Sequence, residues 1–413
     1  MENSCTSVIG KEFCCGCGVC AGICPTHALS IKWNEAGEYH PHLVNKCTGC
    51  RVCLHVCPFE DTNPNEDEIG AKLFSQIPQI QHKSETGYHL SSYVGHVISD
   101  AERWKSASGG LATWFLKELL IRGIADSIVC VRKSSCGDKL YEFFIADSIE
   151  AVETAAGSAY YPTEMSAVVR EILQSPKRYA VIGVPCFVKA LRLAQEKNKK
   201  LHERIVCIAG LTCGKMKSTK FTQAVAELSG LQEEISSVHF RTKSLKRPAS
   251  QFSFAYTGVN GTQTSIAWTE GIGKIWSSKE YNIPACNFCD DIFAECADVT
   301  FMDAWLPEYS KDSRGTSLVI VRSETAAEIF TSGKNLFLSP IPMEKVMASQ
   351  RGVIKNKREL LSLRLAKEGK NANVPKKRVS PAPFNGVFLQ LKLLVKRYVL
   401  FGLSIASRII HQK

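Results

Sequence analysis

Long apolar runs are missing from this chain of 413 residues. The longest uncharged stretch near the C-terminus is the ten residues Tyr398 to Ser407. That is too short to cross a bilayer, which takes about twenty. Met1 to Cys20 contains no apolar signal-peptide core. These absences argue against a membrane-spanning or secreted protein and point to the cytoplasm. An acid–base constellation is missing too. The ten histidines are scattered; His40 and His42 flank Pro41 and read as surface loop, and His239 ends a strand-like run beside Arg241. Catalytic residues are therefore unknown from sequence. Positive charge is lacking over most of the chain. From Arg351 to Lys413 there are fifteen Lys or Arg against Glu359 and Glu368, a net +13, while the whole chain carries +11. The preceding 350 residues thus sum to −2, which excludes a nucleic-acid binder by charge for the body.

Cysteine, by contrast, is abundant, at eighteen residues. A reducing cytoplasm disfavours structural disulfides, so metal or redox chemistry is the better explanation. Cys14-x2-Cys17-x2-Cys20-x3-Cys24-Pro25 is one run and Cys47-x2-Cys50-x2-Cys53-x3-Cys57-Pro58 a second. Three closely spaced thiolates wrap one cubane, and the fourth, before Pro, leaves to ligate the other. Cys14, Cys17, Cys20 and Cys57 are assigned to one 4Fe-4S cluster, and Cys47, Cys50, Cys53 and Cys24 to the other. Zinc also takes four thiolates, but two complete copies of this spacing favour iron–sulfur. Cys15 is off register and reads as a bystander.

Four regions follow. Residues 1–60 form an α+β two-cluster ferredoxin domain. Residues 61–92 are polar and read as a linker. Residues 93–350 alternate helix-like and strand-like runs: a helix at 111–122, strands at 125–131, 178–184 and 204–210, and a helix at 187–197. That alternation predicts an α/β domain with a partly parallel sheet. Residues 351–413 form a basic tail. Sites in such sheets lie at the carboxyl ends of strands, and Cys186 and Cys213 each fall just after one. With Cys286 and Cys289 they supply four thiols, enough for one more cubane. Each alone is equally a small buried hydrophobe. Cys130 and Cys207 lie mid-strand and read as core; Cys136 and Cys296 are the remaining spare thiols, with Cys296 the first candidate to displace one of the four.

Several motifs then come in order: Ser106-Ala107-Ser108-Gly109-Gly110, Gly183-Val184-Pro185-Cys186-Phe187, Leu211-Thr212-Cys213-Gly214, Cys286-x2-Cys289-Asp290, Ala297 to Trp305, and Gly315-Thr316-Ser317-Leu318. Over about residues 1–320 the chain resembles the beta subunit of the deazaflavin-coenzyme hydrogenase and dehydrogenase family, as a bacterial member with an N-terminal ferredoxin domain. Met302 stands where a Gly is usual before Asp-Ala-Trp. The resemblance implies an iron–sulfur flavoprotein: a flavin-binding domain over 93–350, FAD as cofactor, and a third 4Fe-4S cluster on Cys186, Cys213, Cys286 and Cys289. It places flavin at Ser106, Ser108, Gly109 and Gly110, ahead of a helix N-terminus that suits a phosphate, and near Gly157 and Tyr160. As bare sequence, the first loop is a Ser-capped helix start and the second a turn. No deazaflavin-specific feature is visible.

The implied activity is a ferredoxin-linked, flavin-dependent reductase. Ferredoxin or another one-electron donor would feed the clusters, then FAD, then a small-molecule or lipid-linked organic substrate, in polysaccharide or lipid-linked glycan biosynthesis. The alternative is an electron-transfer subunit serving a partner enzyme, with no substrate of its own. Residues 387–411, read as a helix, gather Lys392, Lys396, Arg397 and Arg408 on one face and an aliphatic and aromatic set on the other. That pattern fits peripheral contact with the inner face of the cytoplasmic membrane, or a terminal helix packed on protein.

Overall fold

The computed structural model describes residues 13–135, 137–368 and 378–382. The amphipathic helix expected over 387–411, and Cys136, lie outside them.

The N-terminal cysteine runs fold as a repeat with a period of 33 residues. Gly16 and Gly49 sit at φ of +70° and +74°, and their N–H groups donate to Cys14 Sγ and Cys47 Sγ at 3.3 and 3.4 Å. Each run then enters a one-turn helix, α1 (Val19–Gly22) and α2 (Val52–His55). Both helices start from a left-handed residue, Gly18 at φ +77° and Arg51 at φ +61°. The difference in residue type has a steric cause. A Cβ on Gly18 would lie 2.9 Å from Ser166 N and run into Glu164, whereas Arg51 is exposed. Strands β1 (Leu29–Trp33) and β2 (Tyr39–Leu43) pair antiparallel between the two runs. His40 and His42 belong to β2, not to a loop; His40 Nε2 lies 3.4 Å from Glu38.

The stretch after residue 60 contains a nine-residue helix, α3 (Glu66–Phe74), closed by a reciprocal capping box between Asn65 and Glu68. A short hairpin, β3 (Gln81–Lys83) and β4 (Gly87–His89), follows.

Eight strands form the main sheet: β5 (Ser91–Val97), β6 (Ser127–Lys133), β7 (Tyr141–Ala146), β8 (Tyr179–Gly183), β9 (Ile205–Leu211), β13 (Val299–Asp303), β14 (Ser317–Val321) and β15 (Leu336–Pro340). Their spatial order is β15-β5-β14-β13-β9-β8-β6-β7. The inner pairs β13–β9, β9–β8 and β8–β6 are parallel, and the outer pairs antiparallel. The partly parallel sheet expected from sequence is present. Inner strands such as β14 (SLVIV) are buried at every position, because both faces are covered. One face packs on helix Leu111–Ile121 through Leu111, Phe115 and Leu119. The other packs on helices Ser166–Gln174 and Pro185–Lys197. On that second side one hydrophobic core runs without a break from Phe13, Cys15 and Val19 to Phe187, Val188 and Leu191, so the ferredoxin domain is seated on the body. Strands β10 (Ile235–Thr242), β11 (Ser253–Gly258) and β12 (Gln263–Ala267) form a separate antiparallel sheet. Cys130 and Cys207 are buried mid-strand, as expected of core cysteines. Met302 is buried in regular β13 opposite Leu318.

The chain end folds inward where it is described. Leu361 and Leu365 join the core that holds the ferredoxin residues. Arg378 donates to both Glu295 carboxylate oxygens (2.6 and 3.0 Å) and to Asp67 (2.9 Å). Arg358 reaches Glu295 at 2.9 Å, and Lys189 pairs with Glu66 at 3.3 Å. Part of the basic charge read as a tail thus neutralises buried acids. Among the described residues no helix is long and apolar enough to cross a membrane.

Candidate functional site

Cys14, Cys17, Cys20 and Cys57 line one cavity, closed by Ile31, Pro41 and Val56. Cys57 belongs to the second run, so the structure brings together the crossed set that the spacing predicts. Burial pushes the Cys14 and Cys20 thiols above their ordinary range; iron ligation is what deprotonates such thiols. In the second run Cys50 is exposed and Cys53 buried, while Cys24 is buried and accepts from the Ala28 N–H at 3.3 Å. The first motif faces the body and the second faces solvent.

The four later cysteines converge at the carboxyl edge of the parallel strands. Cys186 is the second residue of helix Pro185–Lys197, whose first position is the Pro that suits a helix start. Cys213 follows β9 and is tied by its N–H to Ile292 O at 3.0 Å. Cys286 lies in the 3-10 turn Pro284–Phe288, with Met216 N–H donating to its sulfur at 3.2 Å, and Cys289 ends that turn. Cys213 and Cys286 each lie in the field of Cys186 and of one another, and burial pushes the Cys213 thiol up to about 12. Among the described residues no three His, Cys, Asp or Glu are gathered tightly enough for a single ion; a cubane takes one thiolate on each iron. Cys296 is elsewhere, 1% exposed among Glu66, Asp291 and Lys189, so it does not join this group.

Two features here escaped the sequence. Cys15 is buried in the same core as Cys17, with Cys186 packed beside it, and these neighbours and burial push its thiol up. Lys357, 2% exposed, donates to Asp291 O at 2.6 Å and to Cys289 Sγ at 3.2 Å. Burial alone would lower its pKa, but Cys289, Cys213 and Cys286 more than offset that and raise it.

The loop Ser106–Gly110 holds its shape with its own hydroxyls. Ser106 Oγ donates to Glu102 O and Ser108 Oγ to Thr316 O, each at 2.8 Å, and Gly109 N–H donates to Ser317 Oγ at 3.0 Å. The helix after it is not Ser-capped: Gly110, at φ +86°, is the N-cap and leaves the first-turn N–H groups without a side-chain acceptor. Gly157, at φ +136°, has open space around it, and Tyr160 packs on Phe240 and Trp276. The end of β10 joins these two loops. Arg241, at φ +61° in a bulge, makes two bonds to Asp303 (2.7 and 2.8 Å), lies near Tyr160, and is within cation–π distance of the Phe252 and Trp305 rings. Its buried Nε has no partner among the described residues. Two residues on, Lys243 Nζ donates to Arg103 O (2.6 Å), Ser108 O (2.9 Å) and Arg314 O (2.6 Å). Burial, aided by Arg241 and Arg103, pushes it down to about 7. A non-glycine residue held left-handed beside a buried ion pair at a sheet's carboxyl edge is the kind of strain found at binding sites.

Comparison with known proteins fits this geometry. The N-terminal model of the coenzyme F420 hydrogenase/dehydrogenase beta subunit matches residues 93–170, and the C-terminal model of the same protein matches 176–338. A "4Fe-4S dicluster domain" model matches residues 13–60. A subunit of the F(420)H(2) dehydrogenase of Methanosarcina mazei is 25% identical over 332 residues, 80% of this chain and 85% of that protein. The coenzyme F420-dependent sulfite reductase of Methanocaldococcus jannaschii is 24% identical over 329 residues, covering 78% of this chain but 46% of that protein. A chain in the solved F420-reducing NiFe hydrogenase complex from Methanosarcina barkeri shares the fold, at TM-score 0.53 and 17% identity over 72% of this chain and 98% of that one. Both halves of one family model are matched in order across more than half of the chain, so it belongs to the coenzyme F420 hydrogenase/dehydrogenase beta-subunit family and carries an N-terminal 4Fe-4S dicluster domain.

Proposed function

We propose that this chain is an electron-transfer subunit that couples a two-electron carrier to a partner oxidoreductase. Its N-terminal clusters would be held by Cys14, Cys17, Cys20 and Cys57 and by Cys47, Cys50, Cys53 and Cys24. A third would be held by Cys186, Cys213, Cys286 and Cys289. When loaded, these centres supply one-electron steps. The observation that carries the proposal is the single core that holds Cys15 and Cys17 with Cys289 and has Cys186 and Cys286 packed against it, which seats the first motif against the four-cysteine site. The solvent-facing second motif, with exposed Cys50 and Arg51, suits exchange with a partner protein. Relatives named as one component of a larger dehydrogenase argue for such a role over a free-standing reductase.

The carrier site is proposed at the carboxyl edge between Ser106–Gly110, Gly157, Tyr160 and Arg241. The donors there fit an anionic dinucleotide such as FAD: the first-turn N–H groups and the unpartnered Nε of the Arg241 guanidinium. A bound flavin would exchange electrons in pairs with its substrate and singly with the clusters. The protein's part is to fix the loop through Lys243 and Ser108 and to hold Arg241 rigid through Asp303.

Anaerobic purification with iron, sulfide and flavin quantified tests this. The expected yield is about twelve irons and one flavin per chain, with dye reduction by a reduced deazaflavin only when a partner or artificial acceptor is present. Turnover of a small organic acceptor by the isolated chain would favour the reductase instead. About eight irons would remove the third cluster.

A further inference from the structure

Lys357 is a buried ammonium whose hydrogen bonds end on a backbone carbonyl and on a cysteine sulfur. It sits in a π-helical turn, Lys355–Glu359, between helical segments Arg351–Ile354 and Leu360–Glu368. Such turns are rare and recur at functional sites. At 2% exposure the charge is out of water, and a buried charge needs a compensating partner. Among the described residues no carboxylate lies within ion-pair distance of its Nζ. Its hydrogen bonds go to Asp291 O and Cys289 Sγ. The groups whose charge it feels most are Cys289, Cys213 and Cys286, three of the four sulfurs in the proposed third site. Neutral thiols would not compensate an ammonium; iron-bound thiolates would.

The neighbouring contacts fix it there. Arg358, next in the chain, bonds Glu295 at 2.9 Å, and Arg364 Nε donates to Asn287 O at 2.9 Å. Three cations of one segment each hold a point of the same cysteine-bearing loop. Lys357 is therefore aimed at sulfur by a braced backbone, not by a mobile side chain.

We propose that Lys357 is a positioning residue that donates an N–H···S hydrogen bond and a fixed positive charge to the Cys289 ligand of the third cluster, and so raises that cluster's reduction potential. Cluster potentials respond to net charge and to hydrogen bonds on the sulfurs. A nearby cation favours the reduced, more negative state, so its removal lowers the potential. This rests on the third-cluster assignment above.

The test is an EPR-monitored redox titration of the full-length protein, purified anaerobically, as wild type, Lys357→Met and Lys357→Gln. The expected result is about twelve irons in all three. One of the three reduction waves should move to lower potential in Lys357→Met and less far in Lys357→Gln, which keeps a donor but no charge. The other two waves should stay in place. Unchanged potentials with full iron would overturn the proposal while leaving the third cluster intact. Wild type with about eight irons would overturn both. Loss of four irons in both variants would also overturn it, by making Lys357 a requirement for assembly.

Discussion

The Cys15 thiol is buried beside Cys186 in one shared core, which joins the first cluster-binding run to the start of the helix after β8. Cys15 follows the ligand Cys14 by one residue. Its counterpart in the second copy of the repeat, 33 residues on, is Thr48, which is exposed. The thiol is thus specific to the copy that faces the body. Cys15→Ala should retain about twelve irons, because the position is off the ligand register. It should lower stability by about 1–2 kcal/mol through the small cavity left by a buried thiol. Loss of four irons would show that Cys15 is itself a ligand.

Crossed ligation gives a non-additive signature. Cys14→Ser and Cys57→Ser should remove the same cluster, so the double variant should lose only about four irons. Cys14→Ser with Cys24→Ser should lose about eight. The reverse, about eight irons lost in the first double variant and about four in the second, would mean that each run holds its own cluster.

Arg378 anchors the described end of the chain to Glu295, Asp67, Glu66 and Asp290. Glu295 is 1% exposed and Glu66 7%. Arg378→Met removes one partner and leaves the acids buried, at a cost of about 3 kcal/mol. Urea unfolding followed by circular dichroism reads this. A loss below about 0.5 kcal/mol, the usual range of surface substitutions, would show that Arg358 and Lys189 suffice.

Lys243 gives a pH dependence. Its ordinary value is 10.5, and burial brings it to about 7 in the fold. Between these values the unfolded chain binds the proton that the folded chain releases. Stability should therefore rise with pH across that window in the wild type. Lys243→Met should lack this slope. Urea midpoints for both proteins at about pH 7 and 9.5, bracketing most of that window, check it; parallel responses would show that Lys243 stays charged in the fold.

The cysteine runs were legible in the sequence because ligand spacing is local: a cubane demands three thiolates within seven residues and a fourth that leaves. The parallel strands were legible because β8 and β9 are continuous apolar runs, which only a sheet covered on both faces can use. The grouping of Cys186 with Cys213 was legible from their places after strand ends, and Cys286 and Cys289 from their pair spacing. The hydroxyls of Ser106 and Ser108 were not assigned correctly as caps, because their acceptors, Glu102 O and Thr316 O, include a partner more than two hundred residues away.

Sequence alone thus determined which cysteines are spaced as cluster ligands and which segments form the inner strands, since both depend on short-range pattern. Tertiary structure decided what surrounds them. Lys357 reaches Cys289 across 68 residues, Arg241 reaches Asp303 across 62, and Cys15 reaches Cys186 through a shared core. No local spacing encodes such pairs. They arise because burying the apolar faces of the sheet and of the ferredoxin domain forces distant polar groups together, where each must find a partner out of water.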